Sequence, residues 1–261
     1  MIPTRRRALA GALFAALLAG CAAMTPSAEA PDLAGTAWVL AALPGQALAP
    51  GHLATARFEG GSVQGTDGCN RYSAPYTRSG GAISVGARGV STMMACPPEV
   101  TKQAQAFMAA LTGAKSYSVE GGRLQLLDAG GAVLASLTAQ SQSLAGTSWK
   151  VTGFNNGRQA VVSPLNGTEL TLAFSGDGRY SGSAGCNNFN GAYTAQGLKL
   201  ALGPAAATRR MCPQPAGSME QEQQFLKALQ TVATARFEGD RLELRTADGA
   251  MAATLAKASG R

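Results

Sequence analysis

The chain contains one long internal repeat, and that repeat limits the folds open to it. Asp32-Leu-Ala-Gly-Thr-Ala-Trp38 returns as Ser143-Leu-Ala-Gly-Thr-Ser-Trp149. Gly68-Cys69-Asn70, followed by Tyr72 and Tyr76, returns as Gly185-Cys186-Asn187, followed by Phe189 and Tyr193. Thr92 to Pro97 matches Thr208 to Pro213, Phe107 matches Phe225, and Leu111 matches Leu229. The offset is 111 residues at the Trp (38 to 149), 117 at the first Cys (69 to 186) and 116 at the second (96 to 212). Such drift is what surface loops tolerate. A repeat of this length makes each copy a domain of its own. The first runs over 32–139 and the second over 143–258, with Ser141-Gln142-Ser143 at the junction.

Periodicity gives the elements. Leu170, Leu172 and Phe174 alternate, Gly176-Asp177-Gly178 supplies a turn, and Tyr180 begins a returning strand. Leu198, Leu200 and Leu202 alternate, as do Leu242 and Leu244, and then Met251, Ala253 and Leu255. These runs predict antiparallel strands with one buried face. Gly60-Gly61, Gly80-Gly81 and Gly130-Gly131 follow no phosphate-loop pattern and read as hairpin turns. One helix interrupts the strands of each copy. In the first it begins near Pro98-Glu99, and Val100, Ala104, Phe107 and Leu111 share a face. In the second, Ser218 as N-cap with Gln221 three residues on forms a capping-box pattern. The fold class is therefore α+β.

The first twenty residues read as an export signal. Arg5-Arg6-Arg7 precede the apolar run Ala8–Ala19, which is shorter than the ~20 residues a spanning helix needs. Leu18-Ala19-Gly20-Cys21 resembles a lipobox, with Cys21 the acceptor of the diacylglyceryl group after residues 1–20 are removed. Ala22, rather than Asp, follows the lipid site and points to the outer membrane. Residues 21–31 are small, polar and Pro-containing, the composition of a flexible tether. The expected partner at this end is the membrane, through the lipid.

Four further cysteines, Cys69, Cys96, Cys186 and Cys212, allow three pairings. Only Cys69 with Cys96 and Cys186 with Cys212 leaves each repeat unit self-contained. An exported chain meets an oxidising compartment, where such bonds persist. Zinc sites favour closely spaced Cys and His, whereas His52 is the one histidine here, so no metal site is expected. His52 reads as a solvated loop residue with no counterpart in the second copy. No catalytic residue is expected, because a nucleophile needs a base beside it. No cofactor-binding pattern is present either. The formal charge of +7 falls to +4 once Arg5, Arg6 and Arg7 are removed, too little for a nucleic-acid footprint.

The L-x-G-T-x-W openings, the G-C-N-x-[YF] segments and Thr92-Met-Met-Ala-Cys-Pro97 together resemble the META domain family, which includes the HslJ-like bacterial lipoproteins. The second copy departs from the pattern at Met211, where Ala precedes the Cys in the first. The resemblance implies a curved antiparallel sheet, nearly a cracked barrel, with one packed helix in each of two tandem domains. It implies association with envelope stress and no catalytic residues. It is also similar in architecture to the pilotins of type III secretion. The expected function is thus a non-enzymatic outer-membrane lipoprotein facing the periplasm, with an envelope protein, peptide or lipid as ligand. The alternative is a pilotin-like assembly factor, and a hydrolase is the least supported reading. Trp38, Asn70, Tyr72, Trp149, Asn187 and Phe189 are the motif residues that either fill the core or line a groove.

Overall fold

Alternating apolar side chains drive each half of the chain into antiparallel strands. The computed structural model describes residues 30–87 and 89–258. The signal segment, Cys21 and most of the tether lie outside the described residues. The first half contains β1 (Thr36–Ala42), β2 (Thr55–Glu59), β3 (Ser62–Thr66), β4 (Arg71–Ser79), β5 (Ala82–Val85) and β6 (Val90–Ser91), then helix α1 (Pro98–Gly113), then β7 (Ser116–Glu120), β8 (Arg123–Leu127) and β9 (Val133–Ala139). The second repeats the order: β10 (Thr147–Asn155), β11 (Val161–Val162), β12 (Thr171–Phe174), β13 (Arg179–Ser183), β14 (Asn188–Gln196), β15 (Lys199–Leu202) and β16 (Ala206–Ala207), then α2 (Ser218–Gln230), then β17 (Thr234–Glu238), β18 (Arg241–Arg245) and β19 (Met251–Lys257).

Each sheet closes on itself. The first runs β3-β2-β1-β9-β8-β7-β5-β4-β6, and β3 also pairs with β4. The second runs β11-β10-β12-β13-β14-β15-β17-β18-β19, and β10 also pairs with β19. One joint in each ring is thin. β5 meets β7 at the single pair Ala82 and Ser116, and β15 meets β17 at Lys199 and Thr234. A cracked barrel describes both. Closure leaves few strand edges exposed.

The helices complete the two cores. α1 packs on β5 and β9, and α2 on β10 and β19. Phe107, Leu111, Phe225 and Leu229 are fully buried. Among the described residues no helix is long and apolar enough to cross a membrane.

The L-x-G-T-x-W opening is a closed hydrogen-bond relay. Gly35 and Gly146 both sit at φ +77°, a turn conformation that glycine reaches without strain. The Thr36 hydroxyl donates to the Leu33 carbonyl at 2.6 Å and accepts the Trp38 indole N–H at 2.7 Å. Thr147 does the same between Leu144 (2.6 Å) and Trp149 (2.8 Å). The relay lets each indole enter the core with its polar N–H satisfied. Trp38 and Trp149 are accordingly buried.

Two local expectations are corrected. Ser218 is not an N-cap. It is the first residue of α2, the N-cap is Gly217 at φ +89°, and the Ser218 hydroxyl donates back to the Pro215 carbonyl. Gln221 instead turns inward and holds a loop. The alternation Met251, Ala253, Leu255 is also interrupted. The β18–β19 register shifts after Leu244, so Ala252 and Ala253 are both buried.

Candidate functional site

The Gly-Cys-Asn turns organise the most elaborate polar structure in each domain. Gly68 and Gly185 both have φ +98°. A side chain there is also excluded by space: a Cβ on Gly68 would lie 2.7 Å from Gln103 Nε2, and one on Gly185 2.9 Å from Gln221 Nε2. Those two glutamines are buried on their helices. Gln103 accepts the Ala49 N–H at 2.7 Å and donates to the His52 carbonyl at 2.7 Å. Gln221 accepts the Leu165 N–H at 2.6 Å and donates to the Thr168 hydroxyl at 3.1 Å. Each glutamine thereby fixes a long loop over the turn. His52 is not a freely solvated side chain. It is half-buried, and its Nδ1 lies 3.2 Å from the Gly68 carbonyl oxygen.

The Asn of each turn fixes the segment leading to the second cysteine. Asn70 Oδ1 accepts the Thr92 hydroxyl at 3.0 Å and the Met94 N–H at 2.7 Å. Asn187 Oδ1 accepts the Thr208 hydroxyl and the Arg210 N–H, both at 2.7 Å. A disulfide then closes each loop, Cys69 to Cys96 and Cys186 to Cys212. These braced loops carry large apolar side chains in solvent. Met93 is 98% exposed, Met94 63% and Met211 82%. Arg209 and Arg210 are exposed beside Met211.

The remaining motif residues face inward. Tyr72, Phe189 and Asn187 are buried, while Asn70 is half-buried. Tyr72 donates its hydroxyl to the Thr55 carbonyl at 2.7 Å, and Phe189 stacks edge-on with Phe225. They belong to the cores rather than to an open groove. Among the described residues no three His, Cys, Asp or Glu side chains come together as a metal cage would require. The repeated motifs point to the Cys and Asn residues but not to Gln103. The signal for it was the second glutamine at the same helix position, Gln221.

The family model of the META domain matches residues 31–141 and again 142–259. The chain belongs to the META domain family. Solved structures match a little under half of this chain. An NMR structure of a protein from Burkholderia xenovorans is 26% identical, with 45% of this chain and 85% of that one covered and a TM-score of 0.37. A crystal structure of a DUF4847 family protein from Bacteroides vulgatus is 16% identical over 45% of this chain and 96% of that one, with a TM-score of 0.31. No curated protein matches the chain.

The two META domains meet through a second polar cluster. The pentapeptide Thr-Ala-Arg-Phe-Glu occurs as β2 at 55–59 and as β17 at 234–238, out of register with the repeat. The two copies face each other across the junction. Arg57 Nη2 donates to the Phe237 carbonyl at 2.8 Å, and Arg236 lies 3.6 Å from the Glu59 carboxylate. Gln140 makes a reciprocal pair with Gly239, 2.7 Å to its carbonyl and 3.2 Å from its N–H. Arg71 reaches Glu243 at 2.5 Å and Glu238 at 3.8 Å. Burial pushes the Glu243 carboxyl up, but bonds from Arg245 and Arg71 outweigh it and hold the group below its ordinary value. Glu238 is raised by burial and by the charge of Glu243. The displaced pentapeptide is the one sequence signal that could have revealed this junction.

Proposed function

We propose that this chain is a lipid-anchored, non-enzymatic protein of the bacterial outer membrane. It faces the periplasm and docks an envelope protein through the methionine loops of its two META domains. The observation that carries the reading is the exposure of Met93, Met94 and Met211 on loops held rigid by a disulfide and an asparagine. Exposed apolar side chains on a fixed backbone suit recognition, because little conformational entropy is lost on binding. Methionine adapts to varied partner surfaces.

Export and anchoring rest on the signal segment, Cys21 and Ala22, and the disulfides fit an oxidising compartment. The geometry favours a periplasmic partner over the anchoring bilayer. The chain enters the first domain beside the β4–β5 hairpin, where Tyr117 donates its hydroxyl to the Pro31 carbonyl at 2.7 Å, with the Gly80 carbonyl 3.2 Å away. The Asn70 turn lies at the opposite end of β4, about 27 Å away at a strand rise of roughly 3.4 Å per residue. The methionine loop of this domain therefore lies at the end of β4 remote from Pro31. Phe107, Leu111, Phe225 and Leu229 are fully buried in the two cores.

The test is site-specific photocrosslinking in cells from Met94 and from Met211, combined with fractionation of Cys21→Ala. The reading expects one discrete protein adduct from the loops and loss of membrane association in the variant. Adducts to lipid alone, or a variant that still fractionates with the membrane, would refute it.

A further inference from the structure

The junction between the domains holds an open cleft of about 120 Å³. Arg57 and Arg71 line it from the first domain, and Arg236, Glu238, Glu243 and Arg245 from the second. Four guanidiniums thus face two carboxylates, and counting Glu59 behind Arg236 still leaves one cation in excess. The hydrogen-bond capacity is unevenly used. Arg245 directs Nε and Nη2 to Glu243 and Nη1 to the Gly249 carbonyl. Arg71 is engaged by Glu243. Arg57 uses only Nη2, which serves both Gln142 and the Phe237 carbonyl. Arg236 Nε is buried with no hydrogen-bond partner, alone in this among the described residues.

Two guanidiniums with unused donors therefore sit on opposite sides of one cleft. They also oppose each other electrostatically. Burial, and then the charge of Arg236, lowers the proton affinity of Arg57, which Glu59 partly offsets. A buried polar group without a partner is costly, and like charges that approach one another add to that cost. A planar guanidinium is suited to oxyanions, which it binds through parallel N–H bonds. A cleft of this size admits a small oxyanion.

We propose that the cleft between the two domains binds a small oxyanion of the size of phosphate, held between the guanidiniums of Arg57 and Arg236. The anion supplies the partner that Arg236 Nε lacks, takes up the unused donors of Arg57 and becomes part of the interface. This does not depend on the function proposed above, since no methionine loop takes part.

Calorimetric titration of the full mature chain with inorganic phosphate, at ionic strength held constant with sodium chloride, tests it. Acetate run in parallel distinguishes a tetrahedral from a planar oxyanion. Saturable binding is expected, weakened at least tenfold in Arg236→Gln. Glu59→Gln removes the competing carboxylate and is expected to tighten binding several-fold, a gain that damage to the fold would not produce. Arg158→Gln, a distant exposed control, is expected to bind as the parent does. Absence of saturable heat with either anion, or unchanged affinity in both Arg236→Gln and Glu59→Gln, would overturn the assignment.

Discussion

Asp67 and Glu222 support the same backbone from non-equivalent positions in the two domains. Asp67 Oδ1 accepts the N–H groups of Cys69 (2.8 Å) and Asn70 (2.6 Å). In the second domain Asp67 is replaced by Ala184, and the carboxylate comes from α2 instead. Glu222 accepts the Asn187 N–H at 2.9 Å and its side-chain amide at 3.1 Å. The position matching Glu222 in the first domain is Ala104. Both carboxylates are buried, so each turn keeps one buried acceptor. Asp67→Ala should cost about 1–3 kcal/mol, the penalty for buried donors left unpaired. Adding Ala104→Glu to that variant should recover part of the loss by copying the second domain. Denaturant unfolding of the mature chain measures both, and no recovery would show that the two carboxylates are not interchangeable.

The strand before each Gly-Cys-Asn turn needs a glycine for a different reason. Gly182 pairs across the sheet with Phe189, and Gly65 with Tyr72. A Cβ on Gly182 would lie 2.0 Å from the Thr171 carbonyl oxygen, and one on Gly65 2.3 Å from that of Thr55. Neither obstacle is a flexible side chain. Gly182→Ala should therefore destabilise the second domain by about 1–3 kcal/mol or more, through overpacking. The thermal midpoint of the variant, compared with that of Gly176→Ala in an open turn, provides the check.

Much of this architecture was legible because the repeat printed it twice. The Trp relays, the cysteine pairs and the helix faces are carried by residues identical or similar in both copies. What stayed hidden lies where the copies differ. Asp67 and Glu222 compensate for each other at positions that do not align as matches. A second exchange is steric. Tyr180 lies over Gly191, whose Cβ would meet the phenol ring at 2.6 Å, whereas the first domain places Val63 opposite Ala74. Identity cannot reveal such pairs, since each partner changes to suit the other. The junction was hidden for another reason. Its contacts join β2 to β17, which are not counterparts in the repeat, and folding alone brings them together.

The disulfides should stabilise their own domains only. Each closes a short loop, with a sequence separation of 27 residues in the first domain and 26 in the second. The chain-entropy model assigns such a crosslink about 3–4 kcal/mol. Replacing Cys69 and Cys96 by Ser should lower amide-exchange protection throughout β1–β9 while β12–β15 keep theirs. Equal loss in both halves would show that the domains unfold as one unit through their junction.

The junction carries two carboxylates whose responses to pH have opposite sign. Glu243 is held below its ordinary value of 4.5, despite its burial, by the bonds from Arg245 and Arg71. Its contribution is complete above that value and is lost as pH falls through the depressed one. Glu238 is raised by burial and by Glu243, so its ionised form opposes folding. That penalty is present above the raised value and is relieved as pH falls towards 4.5. Acidification from neutrality should thus first strengthen the contact between domains and then weaken it. Glu238→Gln should abolish the initial gain. Glu243→Gln should be less stable than the parent at neutral pH and should converge with it in acid. Asp32, Asp177 and Asp248 are also lowered, by hydrogen bonds far from the junction, and they add acid sensitivity shared by every variant. The difference in melting temperature between parent and variant, followed against pH, removes that shared part. A constant difference across the range would mean that neither carboxylate titrates with the junction.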